Sequence, residues 1–142
     1  MSAVRLLAVF AENKPGQTAR IAKVLADAGV NIRWVTIANS GSYGVMKFLV
    51  DQSEVAYQSL RQKGLMVSYL EVLAVEVRDK AGALQAVAEA LGKNHINLDN
   101  TSGFVANHRA ILLVEVHDLA PARAILEQEG LHVLTEQEML SL

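Results

Sequence analysis

The chain contains one unit written twice, offset by 66 residues without a gap: Gly16 recurs as Gly82, Asn31 as Asn97, Leu60 as Leu126 and Gly64 as Gly130. Leu7-Ala8-Val9 returns as Leu73-Ala74-Val75, and Gly64-Leu65 as Gly130-Leu131. A repeat that keeps both its apolar rows and its turn residues specifies two copies of one small fold. The expected division is residues 1–69 and residues 70–142. A unit of about 70 residues has a marginal core, so each copy is expected to lean on the other or on a second chain.

The pattern within a copy gives the fold. Residues 4–10 are apolar and bounded by Glu12-Asn13-Lys14-Pro15-Gly16, which reads as a strand and a turn. Ile21, Val24, Leu25 and Ala28 follow at helical spacing and stop at Gly29. Residues 30–38 and 43–50 are β-rich, with Asn39-Ser40-Gly41-Ser42 between them as a hairpin turn. Ser53 is placed to cap a helix that runs to Lys63, Gly64 lies just beyond it, and residues 65–69 close the copy as a strand.

The second copy predicts strands over 73–77, 96–105, 110–116 and 131–134. Its first helix carries Leu84, Val87, Ala88 and Leu91 as a stripe, and its second has Pro121 in the first turn. Each copy thus reads β-α-β-β-α-β, giving an α+β chain of two tandem ferredoxin-like domains with antiparallel sheets and helices on one face. Only Tyr69-Leu70-Glu71 joins the copies, with no Pro/Gly/Ser linker, so short a join that a fixed relation rather than a flexible tether is expected. Strand alternation leaves Leu6, Ala8, Val45 and Leu49, and Val72, Ala74, Ile111 and Leu113, on the face away from the helices. An aliphatic face of that size predicts a cover, whether the other copy, a second subunit in a homodimer, or a partner.

Composition narrows the function. A net charge of −2 and 20% charged residues offer no basic stripe for nucleic acid. No apolar run approaches the roughly 20 residues that cross a bilayer, and no signal-like segment opens the chain, so a cytoplasmic location is expected. Zero cysteines exclude thiolate catalysis, disulfides and cysteine-ligated metal. The four histidines have no zinc-ligand spacing, and no nucleophile–base pair, phosphate loop or carboxylate pair occurs. No cofactor, metal or catalytic residue is expected, and the chain reads as a non-enzyme.

What remains is the loop between first strand and first helix. Asn13-Lys14-Pro15-Gly16 puts an amide and a glycine-loosened backbone at a helix N-terminus, where unpaired N–H groups and the dipole favour a carboxylate. Asn31 lies at the far end of the same helix, about 16 Å away, so the two amides of one copy reach one small ligand only if two domains bring them together. An asparagine supplies both donor and acceptor for such work. The same residues also serve as ordinary caps and turns, and a duplicated fold duplicates its caps.

Glu12-Asn13-Lys14-Pro15-Gly16 followed by Gly29-Val30-Asn31-Ile32 resembles the signature of the ACT domain, the βαββαβ module through which amino acids regulate metabolic enzymes. Asp79-Lys80-Ala81-Gly82 with His95-Ile96-Asn97-Leu98 is a looser match. Ile37-Ala38-Asn39-Ser40 and Tyr43-Gly44-Val45 are similar to the free-standing tandem ACT proteins of bacteria. The resemblance implies a regulatory protein that binds an amino acid at a domain interface, within one chain or between chains, and signals allosterically to a metabolic enzyme. It implies ligand contacts from Asn13, Pro15, Gly16, Gln17, Asn31 and Ile32, and in the second copy from Asp79, Gly82, Ala83, Asn97 and Leu98. Asp79 in place of an asparagine repels a carboxylate but suits an ammonium, and Ala81 replaces the proline, so the first loop is expected to be the better ligand site.

Three other readings make different demands. A purely structural, dimerising subunit predicts tight self-association and co-purification with an enzyme, indifferent to any amino acid. An enzyme needs a constellation the chain does not show. An RNA-binding domain of this strand order wants surface aromatics on strands that are here aliphatic.

Overall fold

The structure, a computed structural model, describes residues 3–142. Two compact units appear: Arg5–Leu70, here the first unit, and Glu71–Leu142 with residues 3–4, the second unit. Each unit closes its own helix-covered core.

In the first unit, strand β1 (Ala3–Glu12) leads to helix α1 (Gln17–Asp27), strands β2 (Ile32–Ser40) and β3 (Tyr43–Val50), helix α2 (Ser53–Gln62) and the start of β4 (Met66–Val77). The strands lie in the order β2-β3-β1, with β4 beyond β1. Antiparallel pairing sets Leu7 opposite Phe48 and Val9 opposite Met46, so one face of alternate residues is presented to the helices. That face packs Leu7, Val9, Met46, Phe48 and Val50 on Ile21 and Leu25 of α1 and Ala56 and Leu60 of α2. Each fully buried leucine contributes roughly 1.5–3 kcal/mol against leaving it in water.

The second unit continues β4 into α3 (Ala83–Gly92), β5 (Asn100–Ala106), β6 (Arg109–Glu115), α4 (Leu119–Gln128), β7 (His132–Leu134) and α5 (Glu136–Leu140). Its core of Leu73, Val75, Val87, Leu91, Val114, Val116, Ala122 and Leu126 repeats the first position by position. The aliphatics on the opposite face, Leu6, Ala8 and Leu49 in the first unit and Val72, Ala74, Ile111 and Leu113 in the second, are buried too.

Four local expectations are corrected. Residues 65–69 and 73–77 are not separate strands: β4 runs without a break through Tyr69-Leu70-Glu71, which holds neither glycine nor proline to stop it. Ser53 is not the cap of α2 but its first residue, behind Gln52, and its hydroxyl accepts from Arg5 Nη2 at 3.0 Å. Strand β5 begins at Asn100 rather than Ile96, because ladder pairing to β6 starts with Asn100 opposite Glu115. Leu84 is exposed on α3, where Ala90 takes the buried position beside Val87 and Leu91.

Candidate functional site

Helices α1 and α3 start alike. Gly16 and Gly82 sit just before them with φ of 86° and 91°, and neither helix has a side-chain cap. Only glycine takes that backbone without strain, and in place of a side-chain cap the first N–H of each helix donates to the loop backbone, Gln17 to the Lys14 carbonyl at 3.2 Å and Ala83 to the Lys80 carbonyl at 3.3 Å. Around this shared geometry the two loops have become chemically different.

The first loop is closed by its own residues. Asn13 Nδ2 donates to the Gly41 carbonyl at 3.0 Å, and Asn13 N–H to the Ser42 carbonyl at 2.8 Å, so the asparagine ties the loop to the β2–β3 turn. Pro15 lies in the turn that follows. Gln17, the first residue of α1, is the buried polar residue among the described residues, at 9% exposure. Glu12 and Lys14 form a loose surface pair at 4.0 Å.

The second loop is open. A cavity of about 340 Å³ is lined by Val77, Arg78, Lys80, Ala81, Gly82, Ala83, Ala86 and Leu131. Its origin can be read from the repeat: Ala83 and Ala86 stand where the first unit has Gln17 and Arg20. Arg78 likewise replaces Glu12, so Arg78 and Lys80 bring two positive charges where the first loop has a pair of opposite sign. Neither is in an ion pair among the described residues. Asp79 is exposed and is not part of the lining.

The far helix ends repeat the contrast. Asn31 is exposed just before β2; its N–H donates to Asp51 Oδ1 at 2.9 Å and its carbonyl accepts from Asp51 N–H at 3.2 Å. Gln52 Nε2 donates to the Gly29 carbonyl at 3.0 Å, closing that corner. Ile32 packs on the first core. In the second unit His117 and Asp118 occupy the positions of Asp51 and Gln52, and a separate cavity of about 270 Å³ opens among His95, Ile96, Asn97, Asp99, His117 and Asp118. Asn97 Nδ2 donates there to Asp99 Oδ1 at 2.9 Å, while Leu98 packs on the second core.

The two ends of each helix therefore stay apart within a unit. Gly82 and Ala83 share one cavity and Asn97 lines another. The sequence reading favours the first loop, whereas the cavity borders the second. The motif draws attention to Asn13 and Pro15; Arg78, Ala86 and Leu131 belong to no motif. What marks them is mismatch between the copies, small for large at 83 and 86 and positive for negative at 78.

A charged cluster also lies outside these corners. Arg109 donates to Glu76 through Nε at 3.0 Å and Nη2 at 2.7 Å, a two-point contact that holds the Glu76 carboxyl below its usual range. Beside it, the Thr135 N–H and then His132 hold Glu138 low. Thr135 and Glu138 form a capping box that starts α5.

Protein BT0572 from Bacteroides thetaiotaomicron has a similar structure, with a TM-score of 0.91 at 21% identity over 99% of this chain and 97% of that one. The ligand-free regulatory subunit of aspartate kinase from Thermus thermophilus follows at 0.61 and 15% identity, over 87% and 90%. The Thermus flavus regulatory subunit gives 0.63 at 14%, over 89% and 93%. At these identities the likeness is one of fold. No curated protein sequence matches the chain. Residues 2–142 match the family described as the ACT domain pair, and the chain belongs to that family.

Proposed function

We propose that this protein is a non-catalytic regulator that binds a small carboxylate metabolite, with amino acids the class its family resemblance implies, and passes the bound state to a metabolic enzyme. The observation that carries the reading is the cavity beside Gly82 and Ala83 at the start of α3, where Arg78 and Lys80, in no ion pair among the described residues, meet an apolar wall. The aspartate kinase subunits support it as regulatory subunits of the same fold. Regulation follows by linkage: the ligand shifts whichever equilibrium it binds unequally, by that difference in affinity and no more.

Calorimetric titration with the twenty amino acids and their 2-oxo acids tests the reading. Saturable binding at millimolar concentration or below, lost in Arg78→Gln/Lys80→Gln, supports it. Heat of dilution alone for every compound sinks it.

A purely structural role is favoured, for the first unit only, by Asn13, whose amide already donates to Gly41. That reading predicts a first unit that takes no ligand whatever the second unit does.

A further inference from the structure

The cavity at the start of α3 has a feature that separates its ligand from a free amino acid. Its lining consists of Val77, Leu131, three alanines, Gly82, Arg78 and Lys80. None of these side chains is a hydrogen-bond acceptor. An α-ammonium placed in the cavity would find no side-chain oxygen and lie beside two cations of its own sign. A carboxylate finds the opposite: a guanidinium, an ammonium and the positive end of the α3 dipole. The apolar wall suits a short aliphatic body.

We infer that this cavity selects small aliphatic carboxylates that lack the α-ammonium, the 2-oxo acids in particular, over the amino acids of the same carbon skeleton. The inference rests on the ligand-binding reading above and narrows it. It also accounts for the direction in which the repeat has changed. Replacement of Gln17 by Ala83 removes an amide that supplies an acceptor, and replacement of Glu12 by Arg78 removes the carboxylate that could hold an ammonium. Both changes act against an amino group. Asp79, the remaining carboxylate of the loop, lies outside the lining.

The experiment is calorimetry on the full chain with matched pairs: pyruvate and alanine, 3-methyl-2-oxobutanoate and valine, 4-methyl-2-oxopentanoate and leucine. The expected result is that at least one 2-oxo acid binds about tenfold or more tightly than its amino acid. Ala83→Gln, which restores the first unit's residue, should weaken that binding about tenfold or more. Thermal unfolding of the variant verifies that it folds, and a second variant, Arg78→Gln, removes charge without filling space.

An amino acid that binds as tightly as its 2-oxo partner overturns the inference while leaving the ligand-binding reading in place. So does amino-acid binding that drops selectively in Asp79→Asn, since that aspartate would then hold the ammonium. Equal binding to native protein and to both cavity variants overturns the assignment to this cavity. If neither member of any pair binds, this inference falls for these ligands; if the wider titration above is also blank, the reading beneath it falls as well.

Discussion

Gln17 and Ala83 hold the same place in the two repeats, yet Gln17 is buried in the first unit and Ala83 borders a cavity of about 340 Å³ in the second. Smaller side chains at 83 and 86 accompany the open corner, where the first unit has Gln17 and Arg20. The converse change should be tolerated: Gln17→Ala removes a buried side chain and is expected to destabilise by about 1 kcal/mol. Urea unfolding, followed by circular dichroism, reads this as a lower midpoint with an unchanged slope.

Asn13 acts as a clamp between the first loop and the β2–β3 turn. Asn13→Ala should cost about 1 kcal/mol, the usual net value of such a bond, without altering binding at the second unit. Asn13→Asp, which introduces the second copy's residue, loses the same donor and should cost a similar amount. A ligand affinity that falls in Asn13→Ala would return the first loop to the site.

Gly16 and Gly82 have open space where a Cβ would stand, so the cost of adding one comes from backbone conformation alone. Gly16→Ala and Gly82→Ala should each destabilise by roughly 1–2 kcal/mol. Only Gly82→Ala should also weaken ligand binding. Paired unfolding and titration measurements on the two variants separate these effects.

The Glu76–Arg109 pair sets part of the acid response. Glu76 has a carboxyl held low by Arg109, so its contribution to stability is present above the ordinary glutamate value of about 4.3 and is lost as pH falls through the lower folded value. Arg109→Met should therefore flatten the loss of stability below about pH 4.3. Thermal unfolding from pH 7 to pH 3 measures this as a smaller drop in midpoint for the variant. At the matching positions the first unit carries Phe10 and Tyr43, so no equivalent acid-labile pair forms there.

Much of the fold is legible from periodicity. The rows Leu7–Val9, Ile21–Leu25 and Met46–Phe48–Val50 become the first core because strand and helix repeats each present one face. The start of β5 was less legible, since Ile96 and Leu98 alternate like a strand but are apolar for a different reason: they pack on the core from a loop. Helix α5 escaped the hydrophobic pattern through being five residues long, although Thr135 and Glu138 spell its capping box. For the site, the sequence draws attention to both loops and favours the first, whereas the cavity borders the second. Whether an asparagine faces a ligand or donates to a neighbouring carbonyl depends on where the β2–β3 turn lies. Whether alanines open a cavity depends on what packs opposite them.

In the proposed function the copies divide their roles, with the second loop receiving the ligand. Amide chemical-shift mapping of the full chain, titrated with a pool of amino acids and 2-oxo acids, tests it most directly. Saturable shifts are expected at Gly82, Ala83 and Ala86, with Gly16, Gln17 and Arg20 unmoved. Shifts at Gly16 and Gln17 in place of Gly82 and Ala83 would contradict it.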